Sequence, residues 1–186
     1  MKHVLALTLL LAGCSTVNQT GSITDRSSDG IVSALERFAN EGQSGASFLF
    51  DITGQTIPAA DSQPTFVYQE PFTTSDGYEV DQLEIRNSGG ISAVFILVTL
   101  RAEPCLELDS VARKHGFSSI VHSPPSVNSP ASPGAKSYKK KVDGLRELYI
   151  SSEIAGYRCV TKMSSTYIAP EDRDRLERVM RPQLIR

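Results

Sequence analysis

Ten consecutive residues, Ile91–Leu100 (ISAVFILVTL), constrain this fold more than any other stretch. They carry no charge, and five of them are β-branched. Such side chains suit a pleated backbone, and an apolar run without alternation suits a strand covered on both faces. The run therefore reads as the central strand of a sheet. Asn87-Ser88-Gly89-Gly90 is a turn signal, and Glu79–Arg86 before it alternates polar with apolar residues. Together these segments read as a β-hairpin whose first arm keeps one wet face.

A second hairpin is centred on Asp143-Gly144, a favoured pair for a two-residue type I′ turn. That turn places Val142 opposite Leu145, Lys140 opposite Glu147 and Tyr138 opposite Tyr149. Lys139, Lys141 and Arg146 then share the other face, with Lys141 and Arg146 directly cross-strand. Tyr157–Met163, bearing Cys159, reads as a third strand of this group. Shorter candidates are Phe48–Ile52, where Phe48, Phe50 and Ile52 alternate, Thr65–Gln69, and Ser119–Val121.

Helical spacing appears three times. Ile31, Leu35, Phe38 and Ala39 mark one face of a helix over Ile31–Asn40, with Asp29 as cap and Gly42 as stop. Leu108, Val111 and Ala112 mark a short helix capped by Asp109 and ended by Gly116. Pro170 suits the first position of a helix reaching Arg181, stopped by Pro182. Acid–base pairs four residues apart, such as Glu171–Arg175 and Asp174–Arg178, make that last helix a self-neutralised surface. Residues 123–137 hold four prolines and five serines and read as an exposed loop. The expected fold is α+β: a mostly antiparallel sheet built from β-hairpins, with about three short helices, as a single domain over residues 29–186.

The start of the chain has a different character. Lys2 and His3 precede the apolar run Val4–Ala12, and the segment ends in Leu11-Ala12-Gly13-Cys14. A cationic start with about ten apolar residues suits an export signal, being well short of the roughly 20 needed to span a bilayer. This segment resembles the lipobox of bacterial lipoproteins. The resemblance implies a signal peptide over residues 1–13 and an acylated Cys14 as the mature N-terminus. Polar residues 14–28 would then form a flexible tether. Ser15 stands where many such proteins carry an inner-membrane retention aspartate. The resemblance thus implies a lipid anchor in the outer membrane, facing the periplasm. With Cys14 lipidated, Cys105 and Cys159 remain, and in an oxidising compartment they are expected to form a disulfide.

The chemistry of the chain points to binding. Its net charge of −2 argues against nucleic acid as a partner. It contains no phosphate-cradling glycine loop, no G-x-S-x-G elbow and no H-E-x-x-H pair. His115 and His122 lack companion ligands and read as surface histidines. No cofactor, metal site or enzymatic activity is expected. The function expected is a membrane-anchored, non-catalytic lipoprotein that binds a protein in the envelope, as an inhibitor or immunity protein. The alternative is a structural accessory of a secretion or outer-membrane assembly machine. Lys139, Lys141 and Arg146 are the expected contact with an anionic partner, because a like-charged cross-strand pair costs stability by itself. The competing reading of those residues is protection of an edge strand.

Overall fold

The computed structural model describes residues 25–54, 65–68, 70–87, 93–123, 135–143, 145–154 and 156–180. The fold is α+β. In chain order the elements are α1 (Ser28–Glu41), a 3-10 turn (Gly42–Ala46), α2 (Ser47–Thr53), β1 (Thr65–Tyr68), β2 (Phe72–Thr73), β3 (Glu79–Asn87) and β4 (Ala93–Leu100). Then come α3 (Leu108–Lys114), β5 (Ser119–Ser123), β6 (Ala135–Lys141), β7 (Glu147–Ser152), β8 (Lys162–Ile168) and α4 (Pro170–Met180). The expected signal, lipobox and tether lie outside the described residues as far as residue 24. Ser27 and Ser28 belong to the cap and first turn of α1 rather than to a tether.

All strands join one antiparallel sheet in the order β1-β3-β4-β8-β7-β6-β5, with β2 also on β3. Each half of the sheet is a local meander. The two halves meet where β4 pairs with β8, from Ala93 opposite Ile168 to Thr99 opposite Lys162. The ladder continues past the strand ends through Leu100 N–H to Thr161 O and Val160 N–H to Leu106 O. Just beyond it the Cys105–Cys159 disulfide closes the join, with a Cα–Cα distance of 5.1 Å.

One face of the sheet is covered by helices. Val94, Ile96, Val98 and Leu100 of β4 are buried there with Leu83 and Ile85 of β3, Leu148 and Ile150 of β7, and Met163 of β8. The intervening residues of β4 are only half-buried. The strand is interior as expected, but it is not sealed on both faces. Alternation is interrupted once, where a bulge between Val80 and Gln82 inserts Asp81. Glu79 and Asp81 both pair with Arg101, Asp81 at 2.7 Å.

Helix α1 lies across β8 and β7. It presents Ile31, Leu35 and Phe38 to the core and receives a bond from Ser165 Oγ to Leu35 O at 2.7 Å. Its cap is Ser27, whose Oγ accepts from Gly30 N–H at 3.0 Å, and not Asp29. Gly42 ends the helix at φ 65°, a conformation that favours glycine. Gly45 brings the next turn so close to α1 that a Cβ there would lie 2.4 Å from the Arg37 carbonyl. The chain thereby folds back, and Phe50 meets Phe38 at a ring separation of 6.0 Å.

Phe48–Ile52 is consequently helix α2 and not a strand. Phe48, Leu49 and Phe50 are all buried, which alternation would forbid. Helix α3 begins at Leu108, with Glu107 rather than Asp109 in the cap position. Ser123 and residues 135–137 pair in β5 and β6, so the Pro/Ser loop is shorter than expected; its remainder lies outside the described residues. The last strand begins at Lys162, leaving Cys159 in an isolated bridge to Glu107.

The disulfide closes a loop of 54 residues, and the chain-entropy account gives such a bond on the order of 4 kcal/mol. Reduction should therefore lower the unfolding free energy by up to about that amount, and the midpoint with it, measured by urea unfolding with and without reductant. An unchanged midpoint would show that the β4–β8 join holds without the bond.

Candidate functional site

The second hairpin is where expectation and structure part most clearly. Lys141 pairs with Glu147, Lys140 with Leu148, Lys139 with Tyr149 and Tyr138 with Ile150. The ladder closes through Val142 N–H to Arg146 O at 2.9 Å, which leaves three residues in the loop instead of two. The cause is Asp143. Its carboxylate accepts the backbone N–H groups of Leu145 and Arg146 at 2.9 and 3.0 Å, and Arg146 Nε at 2.7 Å. A side-chain-closed turn of this kind competes with the type I′ turn, and one extra residue changes which residues share a face.

The expected basic cluster is therefore divided. Arg146 is buried, paired with Asp143 and donating to Ala39 O near the C-terminal end of α1. It serves a helix terminus whose free carbonyls need donors and which favours positive charge. Burial alone would raise the Asp143 carboxyl, but the bonds from Arg146 and Leu145 outweigh it and hold the group below its ordinary range. Lys139 and Lys141 remain on the opposite face, and Lys139 meets Glu147 at 3.3 Å. β6 is an interior strand, so these lysines guard no edge.

That opposite face carries the candidate site. One row runs from Glu84 through Leu97, Ser164 and Tyr149 to Lys139. Phe95 and Thr166 stand beside it. Tyr149, at 37% relative exposure, is the exposed large hydrophobic residue among the described ones. Its hydroxyl donates to Glu147, and this bond, followed by partial burial, pushes the phenol up to about 12. The same bond, then Lys139, holds Glu147 below its usual range. Tyr149 is thus a neutral, amphipathic ring across physiological pH, poor as a base but suited to contact. At the other end of the row Glu84 is buried and gripped by Arg86, one guanidinium bond measuring 2.7 Å.

A polar cleft of about 260 Å³ lies at the N-terminus of α1, lined in part by Ser28, Asp29, Asp76, Glu107 and Lys114. Its groups are committed to structure. Asp76 accepts from Ser28 N at 2.9 Å and Ser28 Oγ at 2.6 Å, acting as a tertiary cap on α1. Asp29 holds Lys114 and, at 2.8 Å, His115 Nε2. The Lys114 bond first, and His115 second, keep Asp29 below its ordinary value. His115 is therefore a half-buried structural partner rather than a surface histidine. Its Nε2 meets Asp29 Oδ1, and Ser28 Oγ donates to Asp76 instead, so these two side chains do not form the serine–histidine bond of an activated nucleophile. No group of three or more His, Cys, Asp or Glu residues that could hold a metal is present among the described residues.

Sequence reasoning missed Tyr149 as a surface group because the assumed register put it beside Tyr138. In the structure, Tyr138 packs toward the core instead. The signal that could have found it was Asp143 followed by Arg146, the ingredients of a longer, side-chain-closed turn. The chain matches no family model, no curated protein and no solved structure.

Replacing Arg146 by Ala would leave Asp143 half-paired beside the end of α1. Because Asp143 stays partly exposed, the loss is that of charge-assisted hydrogen bonds, roughly 1.5–3 kcal/mol, so Arg146→Ala should unfold at markedly lower urea, whereas Lys141→Ala should stay within about 0.5 kcal/mol of the parent. Equal stabilities would contradict the buried assignment. Asp29, Asp76, Asp109 and Asp143 all titrate below their ordinary 3.8 in the fold. Their stabilising contribution is complete above the unfolded value and is lost as pH falls through the lowered ones. Thermal melts should hold from about pH 7 to pH 5 and fall below about pH 4, and the double variant Asp76→Asn, Asp143→Asn should flatten that decline.

Proposed function

We propose that this chain is a lipid-anchored envelope protein that works by binding another protein on the open face of its sheet, without catalysis. The observation that carries the reading is Tyr149: an exposed aromatic ring in mid-sheet, bordered by half-buried Phe95 and Leu97 and by the Lys139–Glu147 pair. Aromatic side chains with a polar tip dominate contact energies at protein interfaces. The surrounding hydroxyls of Ser164 and Thr166 can bond a partner in either sense. Lys141, exposed and opposite Glu147, leaves the basic side of this face toward an acidic partner surface. The Cys105–Cys159 disulfide supports an oxidising compartment. The lipobox-like Leu11-Ala12-Gly13-Cys14 supports anchoring through Cys14 to the periplasmic side of the outer membrane. An inhibitory or immunity role fits a rigid, preformed binding face.

Two readouts test the reading separately. Cys14→Ala should abolish incorporation of a fatty-acid probe and move the protein out of the membrane fraction; unchanged labelling would refute the anchor. Capture of protein from envelope extracts should weaken on the order of 30-fold for Tyr149→Ala, the range of an interface hot spot, and be lost for Leu97→Lys. Full capture by both variants, each folded by its thermal melt, would refute the open face as the contact.

A further inference from the structure

The two edges of the sheet are built differently. At one edge, β3 is covered by two short strands, β1 of four residues and β2 of two, with Pro71 between them. Short strands and a proline are devices that keep an edge from pairing with another chain. At the other edge stands β5, five continuous residues, Ser119-Ile120-Val121-His122-Ser123. All five pair with β6, from Ser119 opposite Lys139 to Ser123 opposite Ala135. Among the described residues no strand lies on the outer side of β5. It contains no Lys, Arg, Asp, Glu or Pro. The lysines that would guard an edge, Lys136, Lys139, Lys140 and Lys141, stand one strand inward on β6.

We propose that β5 is a dimerisation edge, where two copies of this chain pair antiparallel about a two-fold axis through Val121. The strand is complementary to itself in this register. Val121 faces Val121, Ile120 faces His122 and Ser119 faces Ser123, so no like formal charges oppose one another across the new ladder. The β6 lysines do not veto the pairing. The two β6 strands would lie three strand spacings apart, about 14 Å, beyond the roughly 8 Å screening length at physiological salt. A two-fold axis closes the assembly, so both copies lose their open edge and no chain of further copies follows. The pairing joins two sheets into one of twice the width and sets the Tyr149 faces of the two copies side by side. The proposal concerns β5 and its backbone, and it stands whether or not the open face binds a partner.

The test uses the full-length protein in detergent and in isolated membranes. Multi-angle light scattering should give the protein mass of two chains, and Val121→Lys, a charge set on the axis against its own copy, should return the mass to one. Ser119→Lys is the second variant, and thermal melts verify that both remain folded. Val121→Cys should cross-link to a dimer under mild oxidation in membranes. Ser119→Cys and Ser123→Cys should cross-link poorly alone but readily when the two are co-produced. A single-chain mass for the parent protein overturns the proposal. So does a dimer that survives both lysine variants, or one that cross-links at none of these positions.

Discussion

The pairing of β4 with β8 is the contact on which the rest of this structure depends. Each half of the sheet is assembled from local antiparallel neighbours, but neither meander buries its apolar row alone. The β4–β8 ladder brings residues 93–99 against residues 162–168 and creates one continuous floor of Leu83, Val98, Met163 and Ile150. Closing so long a loop has an entropic cost that grows only slowly with length. The disulfide beside the join removes part of that cost from the folding reaction by limiting the unfolded chain.

The floor then selects what covers it. Helix α1 supplies an apolar stripe, and polar contacts at both ends fix its position. Asp76 caps the first turn from a distant loop, and Asp29 ties the same end to Lys114 and His115 of the α3 region. Arg146 satisfies a carbonyl near the other end. These contacts are worth less as net stabilisation than the apolar burial beneath them, since a buried ion pair roughly offsets its own desolvation. They specify where the helix lies.

Covering one face leaves the other as the proposed contact surface. The helix-side rows are sealed, and the intervening rows on the open face mix Phe95, Leu97, hydroxyls and a balanced pair of charges around Tyr149. Such a surface remains soluble while offering one large ring that gains from being covered. Asp76, Asp29, Asp143 and Glu84 are engaged in structure: Asp76 in a cap, Asp29 and Asp143 in ion pairs, and Glu84 under Arg86.

Local pattern carried much of this fold. The alternation of Glu79–Arg86, the apolar run that becomes Ala93–Leu100, the periodicity of α1 and Pro170 at the start of α4 all mark real elements, because period and punctuation act over a few residues. The disulfide was legible from cysteine usage once Cys14 was set apart. Three features were decided only by tertiary structure. Phe48–Phe50 became helical because Gly42 and Gly45 return the chain against Phe38, and a short apolar run has no period strong enough to resist. Strand β4 is only half-buried on one side because α1 and the apolar core lie on the other, which no single strand encodes. The face of each residue in the second hairpin turned on one hydrogen-bonded carboxylate. Asp143 engaging Arg146 lengthened the loop by one residue, buried the arginine and brought Tyr149 to the surface; strand alternation has a period of two, so a shift of one changes every neighbour.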